Sequence, residues 1–171
     1  MFTDPEKNLR ALGLQENNVV VDLGAGTGFY SIVAGSMVPR GKVYAIEINK
    51  DFLGTIKNKA REAHLSNVEV IWGDIEKKEG TKIGNNIADA VIVSNVFFQV
   101  EKKDTLIEEI KRILKPKGKV LFIDWSESSG MGNKMIVSKN KAQEMFEKKG
   151  FTMERGINTG THHYGMILRK L

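Results

Sequence analysis

The chain contains no cysteine among its 171 residues and only three histidines. The first absence excludes disulfides, thiolate zinc centres and cysteine nucleophiles, and it fits a reducing compartment. The second, with no metal-ligand spacing and no acid paired to a histidine, gives no sign of a metal site. No stretch of eighteen apolar residues occurs, so no membrane-spanning helix is expected. The opening residues MFTDPEKNLRALGL carry charges where a secretory signal needs an unbroken apolar run. The expectation is a cytoplasmic protein with no membrane association. The formal net charge is +5. The lysines that produce it are scattered, and the densest runs, Lys102-Lys103 and Lys139 to Lys149, alternate with acids or sit on amphipathic helices. A nucleic-acid footprint, which needs clustered cations interleaved with aromatics, is not expected.

The most informative stretch is VVVDLGAGTGFYS, Val19 to Ser31. A β-branched run leads into glycines at alternate positions, the pattern of a buried strand whose end wraps a nucleotide-like ligand. Gly24, Gly26 and Gly28 supply left-handed backbone freedom and let N–H groups approach a ligand with no Cβ in between. The spacing argues against a dinucleotide. The fingerprint G-x-G-x-x-G needs a third glycine where this chain has Phe29.

Apolar runs alternate with longer amphipathic stretches along the whole chain, as in a doubly wound α/β sheet, and the length suits a single domain, residues 1–171. Strands are expected at Val19 to Leu23, Lys42 to Ile46, Val68 to Trp72, Ala88 to Ser94 and Lys119 to Asp124. Helices are expected at Pro5 to Leu12, Gly28 to Val38, Asp51 to Ala63, Lys103 to Leu114 and Ser138 to Lys149. Phe151 to Arg155 and His162 to Arg169 read as two antiparallel strands closing one edge, and Ser126 to Val137 as a loop at the ligand edge. In such sheets the ligand lies beyond the carboxyl ends of the strands. That rule selects Glu47, at the end of the second strand and about twenty residues past the glycines, as the carboxylate for a ribose. It selects Asp74, after the third strand, as an acceptor for an exocyclic amine, with Ile48 and Ile75 as apolar surface for a ring.

Asp22 with three glycines, then Glu47, then Asp74, followed by ADAVIVSNVFFQV, IKRILKPKGKVLFIDW and HHYGMILRK, resembles the class I S-adenosylmethionine-dependent methyltransferases. The likeness is to the small group similar to the ubiquinone and menaquinone C-methyltransferases, and it spans nearly the whole chain. It implies a Rossmann-like three-layer αβα sandwich around a seven-stranded, mostly parallel sheet in the order 3214576 with an antiparallel last strand. It also implies S-adenosylmethionine as the cofactor. Carried across, it assigns Asp22, Gly24, Ala25, Gly26 and Gly28 to the methionine end, Glu47 to the ribose, Asp74 and Ile75 to the adenine, and Ser94 and Asn95 to the floor beneath. Two departures stand out. Related sequences often have histidine and glutamate where this chain has Phe98 and Gln99, and they often carry Gly-Pro-Pro after the Asp124-Trp125 pair, which is missing here.

In-line methyl transfer from a sulfonium leaves a neutral thioether, so alignment alone can carry most of the catalysis. Residues able to take a proton are Tyr30 and, beside Tyr164, His162 or His163. Of the two histidines at most one faces a pocket, since neighbours on a strand point to opposite faces. Phe97 and Phe98 suit either an apolar substrate wall or the core, and Phe2 suits a cover. The function expected is methyl transfer to a small-molecule acceptor by a monomer or homodimer. The alternatives are an RNA or protein methyltransferase, and a cofactor-binding scaffold without turnover.

Overall fold

The structure, a computed structural model, describes residues 3–130, 132 and 135–171. Helix α1 (Pro5–Leu12) precedes β1 (Val19–Leu23), α2 (Phe29–Met37), β2 (Lys42–Glu47), α3 (Lys50–Glu62) and β3 (Val68–Trp72). Then come β4 (Ala88–Ser94), α4 (Lys103–Ile113), β5 (Leu114–Trp125), α5 (Lys139–Glu147), β6 (Phe151–Ile157) and β7 (His163–Lys170). The strands form one sheet in the order β3-β2-β1-β4-β5-β7-β6. All neighbours pair parallel except β5 with β7 and β7 with β6, so β7 alone runs against the rest. This is the order and polarity that the resemblance implies.

Alternation along the strands sorts the core into two layers, because successive side chains leave a strand on opposite faces. Val20, Ala90, Ile92, Leu121 and Ile123 face Leu9 and Leu12 of α1 and Ala34 of α2. Val21, Leu23, Val91, Val93, Val120 and Phe122 face Leu106, Ile107 and Ile110 of α4 and Phe146 of α5. Helix starts are fixed locally. Asp4, Asn49 and Ser138 each accept a backbone N–H of the first turn that follows them, a contact typically worth about 1 kcal/mol.

The expected strand from Lys119 starts earlier, and α4 passes into β5 at Leu114 without a connector. The register jumps between Ala88↔Leu114 and Ala90↔Lys119, so Lys115 to Gly118 bulge out of the ladder. Asp89 fastens the excursion: its carboxylate meets Lys115 Nζ at 2.9 Å and the Val19 N–H at 2.8 Å. Sequence periodicity cannot register residues that sit in a strand without alternating. Strand β6, expected to end at Arg155, is likewise longer, reaching Ile157. No described helix is long and apolar enough to cross a membrane.

Candidate functional site

At the carboxyl ends of β1 to β4 lies a cavity of about 790 Å³, within the range of about 300–1,000 Å³ usual for small-molecule sites. Of the eleven residues that the sequence and the resemblance assign to the cofactor, ten line it: Asp22, Gly24, Ala25, Gly26, Glu47, Ile48, Asp74, Ile75, Ser94 and Asn95. Gly28 does not. It caps the start of α2 with φ 87°, and a Cβ there would stand 3.2 Å from two carbons of Ile56, so its glycine serves helix packing. Gly24, at φ 68°, is pressed by Val96, whose Cγ2 would lie 2.7 Å from an added Cβ.

The backbone of the glycine turn is spent differently from the sequence-based expectation. The N–H groups of Gly24 and Ala25 both donate to the Ile46 carbonyl, at 2.9 and 3.0 Å, and the Gly28 N–H donates to the Ala25 carbonyl at 2.9 Å. The Gly26 N–H donates to Glu47 Oε2 at 2.8 Å. These donors therefore lock the turn onto β2 and onto itself. A turn of this kind is not the nest of free amides that cradles a phosphate.

Glu47 is buried, and its second oxygen accepts the Asn49 N–H at 3.1 Å. Each carboxylate oxygen keeps a lone pair, so both can still accept from a ligand hydroxyl. Asp22, 3% exposed, accepts the Ser31 hydroxyl at 2.7 Å and so ties β1 to α2. Burial pushes its carboxyl up to about 7, the Ser31 bond opposing and the Glu47 charge adding. Asp74 accepts the Glu76 N–H at 2.9 Å. Glu76, which sequence reasoning missed, accepts the N–H groups of Glu101 and Lys102 at 2.8 Å each and so fixes the approach to α4. Phe52 and Val96, which the sequence did not single out, also line the cavity, as do Phe29 and Gln99, which it named only as departures from other patterns. Phe29 follows the last glycine directly, a position from which its exposure could have been read. It is 51% exposed, and with Ile48 at 55% it forms an apolar wall open to solvent.

Among the described residues of the wall are four carboxylates, Asp22, Glu47, Asp74 and Glu76, and no lysine, arginine or histidine. The net charge of the chain is +5. The cavity is thus an acidic hollow in a basic molecule, suited to a ligand with a positive charge and hydroxyl donors and unsuited to a pyrophosphate.

Of the proton-acceptor candidates only Tyr30 is among the lining residues. Tyr30 lines the cavity, but its hydroxyl is bonded to Thr3 Oγ1 at 2.8 Å and takes a hydrogen bond from Asn8 Nδ2 at 3.0 Å. It is the clasp that holds the N-terminal segment on α2. His163 is buried off the cavity wall, with its ring 4.2 Å from that of Trp125, and burial first, then His162, lowers its pKa. His162 is exposed. Phe97 is fully buried in the α4 layer, while Phe98 is half-buried. Phe2 lies outside the described residues. Among the described residues no group of three or more acids and histidines is placed to hold a metal ion.

Comparison with known proteins gives the same picture. A methyltransferase domain family matches residues 14–157. A demethylmenaquinone methyltransferase of Geobacillus sp. (strain WCH70) is 26% identical over 132 residues, which cover 77% of this chain and 55% of the relative. A malonyl-[acyl-carrier protein] O-methyltransferase of Halalkalibacterium halodurans is 29% identical over 107 residues, 63% of this chain and 39% of the relative. The chain spans about half the length of the curated relatives it matches. The crystal structure of a SAM dependent methyltransferase from Aquifex aeolicus superposes with a TM-score of 0.89 at 29% identity, covering 99% of this chain and 91% of that one. The chain belongs to the methyltransferase domain family, as a class I member with S-adenosylmethionine as its cofactor.

Proposed function

We propose that this protein transfers the methyl group of S-adenosylmethionine to a small-molecule acceptor. The observation that carries the reading is the acidic cavity at the ends of β1 to β4, with Glu47 among its carboxylates and no cation on its described wall. When bound, the cofactor supplies an electrophilic methyl on a positively charged sulfur. Four carboxylates favour that charge, and Glu47 offers an acceptor to each of two ribose hydroxyls. Asp74, with Ile48 and Ile75, suits the adenine ring. Asp22, the turn from Gly24 to Gly26, and Ser94 with Asn95 border the methionine end. The Tyr30 hydroxyl is committed to Thr3 and Asn8, and His163 is stacked away from the wall. The chain's contribution is therefore to align, which effective molarities of about 10⁵ M or more make sufficient.

A small acceptor is favoured by the size of the cavity, about 790 Å³, which is that of a small-molecule site. The demethylmenaquinone methyltransferase likeness points the same way. Calorimetry tests the reading. S-adenosylmethionine should bind, NAD should give no heat, and Glu47→Ala should weaken binding by about tenfold or more, the loss of hydrogen bonds to a charged group. Transfer of isotope-labelled methyl into a metabolite extract should follow. Absence of S-adenosylmethionine binding to the unmodified protein would overturn the proposal.

A further inference from the structure

Two buried polar atoms at the ends of β4 and β5 have no hydrogen-bond partner, Oδ1 of Asn95 and Oδ2 of Asp124. Register brings their residues together. Ser94 pairs with Ile123, and the Asn95 N–H donates to the Ile123 carbonyl at 2.9 Å. The ladder therefore continues one residue past β4 and sets Asn95 beside Asp124, a strand spacing of about 4.8 Å away. Asn95 adopts a left-handed φ of 55°, which turns the chain back across β5. As a result the Phe98 amide lies against the Asp124 carboxylate.

Asp124 is fully buried, and its other oxygen accepts the Trp125 N–H at 2.9 Å. The charged and titratable groups around it are engaged elsewhere. Tyr164, its register partner on β7, gives its hydroxyl to the Val137 carbonyl at 2.7 Å. Lys103 of α4 donates to the Val100 carbonyl and lies over the Phe97 ring. The α5 residues buried in this layer are Ala142 and Phe146, neither of which carries a polar group.

Two buried acceptors without partners, on residues that the ladder sets side by side, are costly, each unsatisfied one by roughly 1–3 kcal/mol. The pair holds its own remedy, because the amide carries two N–H donors at its other end and the carboxyl can carry a proton. Two satisfied arrangements exist. A protonated Asp124 donates to the Asn95 carbonyl oxygen and leaves the amide N–H groups toward the cavity that Asn95 lines. An ionised Asp124 accepts from those N–H groups and leaves the amide oxygen toward the cavity.

We propose that Asp124 is a positioning residue whose protonation decides which end of the Asn95 amide faces the bound cofactor. Oδ1 is the buried end of the Asn95 amide, the end that a protonated Asp124 would meet. Burial pushes the Asp124 carboxyl up to about 6, with the Trp125 and Phe98 amides and the Lys103 ammonium pulling it back, so the change falls in an accessible pH range. Tyr164 stays neutral throughout, its phenol raised by burial and by Asp124. The inference rests on the reading of the cavity as the S-adenosylmethionine site. The methionine end of that ligand carries an ammonium, which an amide oxygen attracts and an amide N–H does not.

The test is calorimetric titration with S-adenosylhomocysteine between about pH 5 and about pH 8, a window above the ordinary carboxylate range and on either side of the raised Asp124 value. Affinity of the unmodified protein should rise by about tenfold as Asp124 ionises, the worth of one hydrogen bond to a charged group. Asp124→Asn donates as the acid does, so it should keep the weak, low-pH affinity and lose this step. Asn95→Ala should lose the same step, and the double variant should show no further change. The Asp22 step is common to all four proteins. A purely structural role for Asp124 would instead lower affinity by a factor independent of pH. A ligand-free measurement accompanies it: in the unmodified protein the Asn95 side-chain ¹⁵NH₂ signals should follow the Asp124 carboxyl carbon through one inflection. An Asn95 amide that stays still while Asp124 titrates, or an Asp124→Asn profile equal to that of the unmodified protein, overturns the inference. Failure of S-adenosylmethionine and S-adenosylhomocysteine to bind would fell the cofactor reading, with the resonance titration still deciding the amide.

Discussion

Asp22 shows how one carboxylate serves fold and site together. It hydrogen-bonds Ser31 across the β1–α2 junction while bordering the cavity, and burial raises its carboxyl from 3.8 to about 7. A raised acid binds its proton more tightly when folded. Its stabilising contribution is therefore full below about pH 4 and is lost as pH rises through about 7. Asp22→Asn keeps an acceptor for Ser31 and cannot ionise. The melting temperature of the variant minus that of the parent should thus grow as pH rises from about 4 to about 7.5 in paired thermal melts. A difference that does not change with pH would show that Asp22 is not perturbed. Asp124 contributes with the same sign to both proteins and cancels. At this scale the sequence was legible where chemistry sits at a strand end, as for Asp22, Glu47 and Asp74. It was silent on where a group's hydrogen bonds go. Tyr30 reads as a candidate at the ligand edge, yet its hydroxyl is used by Thr3 and Asn8, residues more than twenty positions away.

Among the elements, the strands were readable because each is an apolar run with a polar end. The joints between them were not. The β3–β4 connection is held to α4 by Glu109, which is 2% exposed and which no periodicity singles out. Its carboxylate accepts the N–H groups of Glu79 and Thr81 at 3.1 and 3.3 Å, the Thr81 hydroxyl at 2.7 Å, and Arg112 Nε and Nη2 at 2.7 and 2.8 Å. Burial raises this carboxyl, but the bonds from Arg112, Thr81 and Glu79 outweigh it and leave the pKa below its ordinary value. Removing the charge from such a pair leaves Arg112 only neutral acceptors, among them the Asn85 and Ile83 oxygens, and breaking a buried pair costs about 3 kcal/mol or more. Glu109→Gln should therefore lower the melting temperature by about 6 °C or more, at about 2 °C per kcal/mol for a chain of this length. Glu108→Gln, one residue away on an exposed pair with Lys149, should change it by less than about 2 °C. Equal effects of the two would remove Glu109 from its place as the joint.

At the scale of the whole molecule the charge is divided, with cations over the surface and carboxylates around the cavity. The sequence shows only the net charge of +5, and the fold reveals that the hollow has the opposite sign. A ligand bound only by the native state adds RT ln(1 + [L]/Kd) to stability, about 2.7 kcal/mol at a hundredfold excess over Kd. At about 2–4 °C per kcal/mol, S-adenosylmethionine at that excess should raise the melting temperature by roughly 5–10 °C. NAD at the same concentration should leave it unchanged, because its pyrophosphate would meet four carboxylates and a glycine turn whose amides are already bonded to β2 and to one another. Salt separates this from surface binding. Shielding shortens the reach of exposed charges to about 8 Å at physiological ionic strength and to about 3 Å at 1 M, but it acts weakly on buried groups. The S-adenosylmethionine shift should therefore survive high salt, while any stabilisation by a polyanion on the lysines should disappear. A shift with NAD as large as that with S-adenosylmethionine, or one abolished by salt, would mean that the acidic cavity is not where the ligand binds.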